Sequence, residues 1–257
     1  MIRLASFNVN SVRKRAPHIL RFLARQQPDL LFLQELKCKT EEFPELELSA
    51  SGYRMRAVGQ QGGRNGVAVL SRIPFDVVAE RLPGDEADTQ ARYIEVKAAG
   101  MNIAGIYLPN GNSGGEDGYA YKLGWMARLR TLAAERLDTF TPYAVLGDFN
   151  VCPTPLDLAP GTLPPTDALV RPETRAAWRA LENLGLTDAL RALHPGQRIY
   201  TYWDYGSAFE RNAGLRIDHA LLSSELAERL SATSVDVGPR AEETPSDHTP
   251  VIVDLEA

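Results

Sequence analysis

The chain has 257 residues, of which 44% are hydrophobic and 24% are charged, and its net charge is −5 with an isoelectric point of about 5.5. This composition is ordinary for a globular protein, and the length still allows one large core. The acidic balance argues against a protein that coats itself in nucleic acid, but an enzyme with a local basic patch remains compatible with it.

The chain contains no apolar run near the ~20 residues that a membrane span needs. Its first ten residues, MIRLASFNVN, contain no apolar signal-peptide core. The two cysteines, Cys38 and Cys152, do not suggest a disulfide framework. We therefore expect a cytoplasmic protein with reduced thiols. Because no shift in composition divides the chain, we expect residues 1–257 to form a single domain.

Short runs rich in Val, Ile and Leu recur from one end of the chain to the other and predict β-strands. In chain order they cover 2–9, 29–35, 66–71, 91–98, 101–108, 143–150, 216–223 and 249–255. Apolar residues at helical spacing predict helices at 14–27, 119–138 and 173–193. The Pro-rich segment 153–172 predicts a long loop, and loops of this length are often functional. The mixture predicts an α/β fold.

Polar side chains stand at one end of several predicted strands. The apolar run 143–146 leads directly into Asp148 and Asn150, which point to the same side of an extended chain. Earlier strands end similarly, at Asn8, Asn10, Glu35, Tyr107 and Asn110. Two later strands instead begin with polar residues, namely Asp218, Asp247 and His248. If these two strands run antiparallel to the others, all the polar ends meet at one rim.

Such a rim predicts metal-dependent phosphoester chemistry. Oxygen ligands without a Cys/His set favour Mg²⁺ or Mn²⁺ over zinc. Hydrolysis of a metal-clamped phosphate also needs a base and donors for the developing charge. Asp148 can act as the base, with Asn150 holding its orientation. Asp218 can fix the imidazole of His248, and Tyr107 can donate a hydrogen bond to the phosphate.

Six motifs, taken in order, resemble the exonuclease III family of apurinic/apyrimidinic endonucleases, within the endonuclease/exonuclease/phosphatase superfamily. They are FNVN (7–10), LQE (33–35), YLPNG (107–111), GDFN (147–150), GLRID (214–218) and SDHTP (246–250). The resemblance implies a four-layer α/β sandwich, in which two mixed β-sheets pack face to face with helices outside. It also implies Mg²⁺-dependent cleavage of duplex DNA on the 5′ side of abasic sites, with 3′→5′ exonuclease or 3′-end trimming.

The resemblance assigns roles to individual residues. Glu35 matches the principal metal ligand and Asn8 the asparagine beside it, whereas Asn10 stands where relatives can carry Asp. Asp247 precedes the catalytic histidine and supports it, so we place Glu35, Asn8, Asn10 and Asp247 at the metal site. The matched catalytic set is Tyr107, Asp148, Asn150, Asp218 and His248. His219 follows Asp218 on the opposite face of the strand and is expected to pack rather than to act.

The substrate site is also expected from the resemblance. Tyr202 or Trp203, together with Leu215, would wall a pocket that admits a flipped base-free sugar and rejects a normal base. Phosphate contacts are expected from rim residues, namely Arg13, Lys14, Arg64, Asn65, Asn110, Lys122, Arg211 and Asn212. The partner would be double-stranded DNA with abasic sites or 3′ ends, bound by a monomer.

Two other functions are compatible with the superfamily. Secreted deoxyribonucleases, sphingomyelinases and inositol-phosphate phosphatases work with two histidines, one of them where this chain has Tyr107. A catalytically silent member that only binds nucleic acid should instead show broken motifs. The intact set from Glu35 to His248 favours the nuclease, and metal-dependent turnover separates the alternatives.

Overall fold

A computed structural model describes residues 1–256 of the chain. Within that range the strands are β1 Ile2–Asn8, β2 Leu30–Gln34, β3 Arg54–Val58, β4 Val67–Ser71, β5 Asp76–Ala79, β6 Tyr93–Ala98, β7 Met101–Tyr107, β8 Tyr143–Asp148, β9 Thr187–Asp188, β10 Asp218–Leu222, β11 Leu230–Val235 and β12 Val251–Leu255. The helices are α1 Val12–Gln26, α2 Glu45–Ser49, α3 Gly115–Leu137, α4 Pro172–Glu182, α5 Ala189–Leu193 and α6 Ser224–Glu228. Among the residues described, no helix combines the length and hydropathy that crossing a membrane requires.

The strands form two mixed six-stranded sheets. Their orders are β11-β12-β1-β2-β4-β3 and β5-β6-β7-β8-β10-β9. Strand β1 is parallel to β2, and β7 is parallel to β8. Strands β12 and β10 run antiparallel to β1 and β8 respectively. The two later strands therefore run antiparallel to their neighbours, as the sequence analysis required. The polar ends of the strands consequently lie at one rim.

The core lies between the two sheets and continues under the helices on both outer faces. Apolar side chains of both sheets meet in one cluster, which includes Leu4, Phe32, Val69, Ile94, Ile103 and Leu146. Helix α1 covers the first sheet with Ala16, Ile19 and Leu23 at helical spacing. Helices α3 and α4 cover the second sheet with Trp125 and Trp178. The predicted four-layer α/β sandwich is confirmed.

The single helix predicted over 173–193 is wrong. Helix α4 ends at Glu182, and Gly185 then adopts a positive φ of 101°. Asp188 lies in β9 and pairs with Leu221 of β10. Its side chain accepts a hydrogen bond from the backbone N–H of Arg191 (3.2 Å), so it caps the short helix α5. The apolar spacing therefore runs through two helices with a strand residue between them. The predicted loop 153–172 holds a short 3₁₀ turn, Pro155–Asp157, and one isolated β-bridge from Leu158 to Leu215 before α4 begins.

Candidate active site

Three of the polar strand ends, drawn from both sheets, are linked by short hydrogen bonds. The Asn8 side chain, at the end of β1, donates to Glu35 Oε1 (2.9 Å) and to Asp148 Oδ2 (3.0 Å) in the other sheet. Asp148 pairs in register with Tyr107 on one side and with Asp218 on the other. The rim is therefore a cluster shared by both sheets, with Asp148 at its centre.

The turn at Asp148 depends on Gly147. A Cβ atom built on Gly147 would lie 2.0 Å from the carbonyl oxygen of Ile106, and the residue adopts a φ of 151°. Only glycine fits this close approach of β8 to β7. Asn150 then takes a left-handed φ of 49°, an uncommon conformation that Asn tolerates better than most residues. This geometry explains the motif GDFN and turns the chain sharply at the rim.

His248 connects two of the carboxylates. Its Nδ1 lies 2.8 Å from Asp218 Oδ2, and its Nε2 lies 3.7 Å from Asp148 Oδ2. Asp218 Oδ2 also accepts a hydrogen bond from the Thr201 hydroxyl (2.6 Å). Burial alone lowers the pKa of His248, but the charges of Asp218 and Asp148 outweigh burial and raise this pKa to about 10. The imidazole is therefore held as a cation that can donate from Nε2.

The carboxylates respond differently to their surroundings. Burial raises the pKa of Asp148 to about 7, with attraction to His248 opposing it and repulsion from Asp218 and Glu35 adding to it. Burial also acts to raise the pKa of Glu35, but Lys37 and His248 outweigh burial and hold it below its usual range. Burial, together with Glu35 and Asp148, keeps the pKa of Tyr107 well above its usual value, so the phenol stays a donor.

The cluster fits a divalent cation. Glu35, Asp148 and His248 each bring one polar atom to within 4.8 Å of the other two, and the two carboxylates offer oxygen ligands. In addition, Asp218 Oδ1 is buried without a hydrogen-bond partner among the described residues. A concentration of buried negative charge with an unsatisfied oxygen is unfavourable unless a cation or a proton compensates it. The donors are mainly carboxylate oxygens, which suit a hard cation.

Asn10 and Asp247, which the sequence places at the metal site, bond to each other instead. The Asn10 amide donates to Asp247 Oδ1 (2.9 Å) and to the Tyr205 hydroxyl (2.8 Å). Its Oδ1 accepts from Lys37 Nζ (2.5 Å). Because both ends of the Asn10 amide are occupied, Asn10 and Asp247 form the border of the cluster beside Glu35.

Lys37 is a site residue that the sequence reasoning missed. Its ammonium lies 2.9 Å from Glu35 Oε2 and so neutralises part of the cluster. The signal was a lysine two residues after Glu35, in LQELK, and left-handed backbone at Glu35 (φ 53°) and Lys37 (φ 52°) accompanies their contact. Thr201, which holds Asp218, and Arg92, whose guanidinium carbon lies 4.6 Å from the Tyr107 ring centroid, were also missed.

A cavity of about 640 Å³ opens beside the cluster. Tyr202 and Leu215 line it and pair with each other in a short β-bridge. The Tyr202 ring packs edge-on against His248, with 5.0 Å between centroids. Trp203 is only 3% exposed and its indole N–H donates to Asn212 Oδ1 (3.1 Å), facing away from the cavity. Of the two aromatic candidates, Tyr202 therefore lines the cavity, and Trp203 does not.

The expected phosphate-binding residues divide into two groups. Arg211 and Asn110 line the cavity, and Arg13, Lys14 and Arg64 are exposed. Asn65 instead donates to Gln60 and Gln90 side chains and shapes its own loop. Lys122 is fully buried and cannot reach a phosphate. The expectations for Asn65 and Lys122 are thus corrected, because their donor groups bond within the protein. Asn212 is exposed and accepts from Trp203 through Oδ1, so its place among the phosphate contacts stays a prediction.

His219 packs as expected. It lies on the far side of β10, where its Nε2–H donates to the Val151 carbonyl oxygen (2.9 Å). Its ring contacts Phe149 and Trp178. Burial lowers the pKa of His219 to about 4, so the ring is neutral at physiological pH.

Known proteins resemble this chain over nearly its whole length. A family model described as the Endonuclease/Exonuclease/phosphatase family matches residues 5–248. An exodeoxyribonuclease III from Haemophilus influenzae is 33% identical over 97% of this chain and 98% of its own length. An AP endonuclease structure from Archaeoglobus fulgidus superposes with a TM-score of 0.94 at 35% identity, covering all of both chains. A 3′-5′ exonuclease from Neisseria meningitidis superposes equally well, with a TM-score of 0.94 at 36% identity over all of both chains.

Proposed function

The chain belongs to the endonuclease/exonuclease/phosphatase family, and from that premise we propose that it is a DNA-repair nuclease of the exodeoxyribonuclease III type. It is an enzyme that hydrolyses phosphodiester bonds in DNA. The observation that carries the proposal is the convergence of Glu35, Asp148, Asp218 and His248 at one rim, beside a cavity. The complete set, with Tyr107 rather than a second histidine, favours this function over a silent member or a two-histidine phosphodiesterase.

The proton positions follow from the electrostatics of the site. The backbone N–H of Asn150 donates to the Asp148 carboxylate (2.9 Å) and fixes its orientation. In this orientation Asp148 positions and deprotonates a water molecule. His248, fixed by Asp218, donates from Nε2 to a phosphate oxygen. Tyr107 donates a hydrogen bond from its hydroxyl to the same phosphate as negative charge develops there. The hydroxide formed from the water attacks phosphorus, the bond from phosphorus to the 3′ oxygen breaks, and the leaving 3′ oxygen takes up a proton from water. Misplacing a catalytic base or removing a hydrogen-bond donor of this kind typically lowers the catalytic rate by about 10²–10³.

The proposed cofactor is Mg²⁺, which Mn²⁺ can replace. Glu35 would hold it, with Asn8 orienting the carboxylate, because oxygen donors suit a hard cation. When bound, the ion supplies Lewis-acid stabilisation of the phosphate charge. The buried carboxylates beside Glu35 support this assignment, since they need positive charge.

The proposed substrate is duplex DNA with abasic sites or 3′ ends. It is cut 5′ to the abasic sugar, and the 3′ ends are trimmed in the 3′→5′ direction. Tyr202 and Leu215 support this specificity because they wall the cavity next to Asp148, and an apolar wall suits a flipped base-free sugar. A Neisseria 3′ phosphatase bound to a product DNA hairpin shares 35% identity with the chain at a TM-score of 0.94. We further propose one domain over 1–257, a monomer, and a cytoplasmic location with its DNA.

Incision of a labelled duplex tests the proposal. A 5′-labelled duplex with one abasic analogue is incubated with and without Mg²⁺, next to an intact duplex of the same sequence. The expected result is one Mg²⁺-dependent cut at the analogue. A ladder on both duplexes would replace the abasic preference with an exonuclease that discriminates poorly. Binding of DNA without any cut would contradict the enzymatic function.

A further inference from the structure

Lys122 lies in the N-terminal half of α3, directly behind the active-site rim. It is fully buried, and its Nζ donates to the carbonyl oxygens of Asn110 (2.9 Å) and Asn150 (2.6 Å). These two carbonyls belong to the loops that follow β7 and β8, so one amine joins the segments that come directly after Tyr107 and Asp148. Both bonds need only two N–H groups, which the amine has whether or not it is protonated.

The two tethered residues are themselves linked to Asp148. The Asn110 amide donates to Asn150 Oδ1 (2.9 Å), and the Asn150 amide donates to the Leu108 carbonyl (2.9 Å). The backbone N–H of Asn150 in turn donates to Asp148 Oδ1 (2.9 Å). Lys122 therefore holds the carbonyl group of Asn150, the residue whose backbone N–H orients the proposed base Asp148. A shift of Asn150 would be passed directly to the Asp148 carboxylate.

Packing around the Lys122 side chain fixes it in this position. A Cβ atom on Gly111, which has a φ of 88°, would lie 2.7 Å from Lys122 Cδ. The loop after β7 can therefore lie against the lysine stem only because residue 111 is glycine. Burying an amine is unfavourable unless its donors are satisfied, and an apolar residue would fill α3 at lower cost. Trp125 and Met126 provide the apolar packing of the same helix.

We propose that Lys122 is a positioning residue, which sets Asn110 and Asn150 by their carbonyls and through them aims the Asp148 carboxylate at the reacting phosphate. The inference rests on the proposed nuclease function. It differs from the phosphate contact that the sequence suggests, because it acts on the rate of the chemical step and leaves DNA affinity unchanged.

Lys122→Met tests the inference, since methionine keeps most of the side-chain length and removes the donors. Lys122→Arg retains donors, and Lys97→Met makes the same change at an exposed position of β6. We measure kcat and KM on the abasic duplex, Kd for the same duplex in EDTA, and the thermal unfolding midpoint. Lys122→Met should lower kcat about 10- to 100-fold, as expected for a displaced catalytic group. Its KM and Kd should stay within about threefold, and Lys122→Arg should restore part of kcat.

The activity of the wild type distinguishes failure of the proposed nuclease function from failure of the positioning role of Lys122. A wild type that does not cut removes the proposed function, whereas a cutting wild type with an equally active Lys122→Met removes only this inference. A raised Kd at constant kcat would instead make Lys122 a DNA contact. If neither Lys122 variant shows a cooperative unfolding transition while Lys97→Met does, Lys122 is a folding residue and the positioning role is overturned.

Discussion

Asp148 is the carboxylate whose surroundings matter most to the proposed chemistry. It is 1% exposed and held by Asn8 and by the backbone N–H of Asn150. Asp148→Asn keeps the shape and much of this hydrogen bonding but cannot accept a proton from water. We expect kcat on the abasic duplex to fall by about 10²–10⁴. The Kd measured in EDTA should not rise, since a negative charge facing phosphate is removed. Retained cleavage would show that Asp148 is not the base.

His219 predicts an acid sensitivity that is unrelated to catalysis. Its pKa falls from 6.5 in the unfolded chain to about 4 when buried. Below pH 6.5 the unfolded chain therefore binds a proton at this residue, whereas the folded protein does not. Each pH unit in this range lowers the free energy of unfolding by about 1.4 kcal/mol, or about 2 kcal/mol between pH 6.5 and 5. Above pH 6.5 the effect is absent.

His219→Gln tests this sensitivity, because glutamine retains an N–H donor for the Val151 carbonyl and does not titrate. The drop in unfolding free energy from pH 7 to pH 5, measured by urea denaturation, should be about 2 kcal/mol smaller than in the wild type. His194→Gln, at a half-exposed position, should leave the drop unchanged. Equal drops in wild type and His219→Gln would contradict the prediction.

The loop 153–172 is fastened to the second sheet by a buried ion cluster. Arg216, which is 1% exposed, donates to Asp157 Oδ1 (2.7 Å) and to Asp188 Oδ2 (2.7 Å). Arg191 adds a second bond to Asp157 Oδ1 (2.6 Å). Burial acts to raise the pKa of Asp157, but Arg216 outweighs it and lowers this pKa to about 2. The loop, the start of β10 and helix α5 are therefore joined at one point.

Arg216→Met should destabilise the protein by about 3–5 kcal/mol, because it leaves two buried carboxylates with too few partners. Urea denaturation at pH 7 measures the change, and Arg130→Met on the exposed side of α3 is the matched control. Losing less than about 1 kcal/mol, which is the range of a surface pair, would contradict the role of the cluster.

The strands that the sequence missed have one property in common. All eight predicted strands are present, and the four that were not predicted, β3, β5, β9 and β11, are the edge strands of the two sheets. An edge strand has one neighbour and more solvent, so it does not need the apolar run that marks an interior strand. β5, for example, exposes Asp76, Val77 and Val78. A continuous apolar run therefore identifies the interior strands of a sheet and does not identify its edge strands.

At the scale of the molecule, the site could be anticipated because strand direction decides where polar ends meet. The sequence shows the polar residues at the ends of β1, β2, β7 and β8. They converge because β1 and β2, and β7 and β8, are parallel, while β10 is antiparallel to β8. The direction in which single side chains face was not readable outside regular strands. Lys122 on α3 and Trp203 in an irregular loop both turned inward, because contacts distant in sequence decide their partners.

The net charge of −5 requires that DNA be bound through a few local cations. Each phosphate neutralised by a cation contributes about −0.9 to the slope of log K against log salt concentration. Arg211 is exposed and lines the cavity, so Arg211→Ala should make this slope shallower by about one and weaken binding to abasic and intact duplexes alike. Arg130→Ala, on the outer face of α3, should leave the slope unchanged. Titrating a fluorescent duplex in EDTA at several salt concentrations measures both. An unchanged slope for Arg211→Ala would exclude it as a phosphate contact, and the DNA path would then run past Arg13 and Arg64 instead.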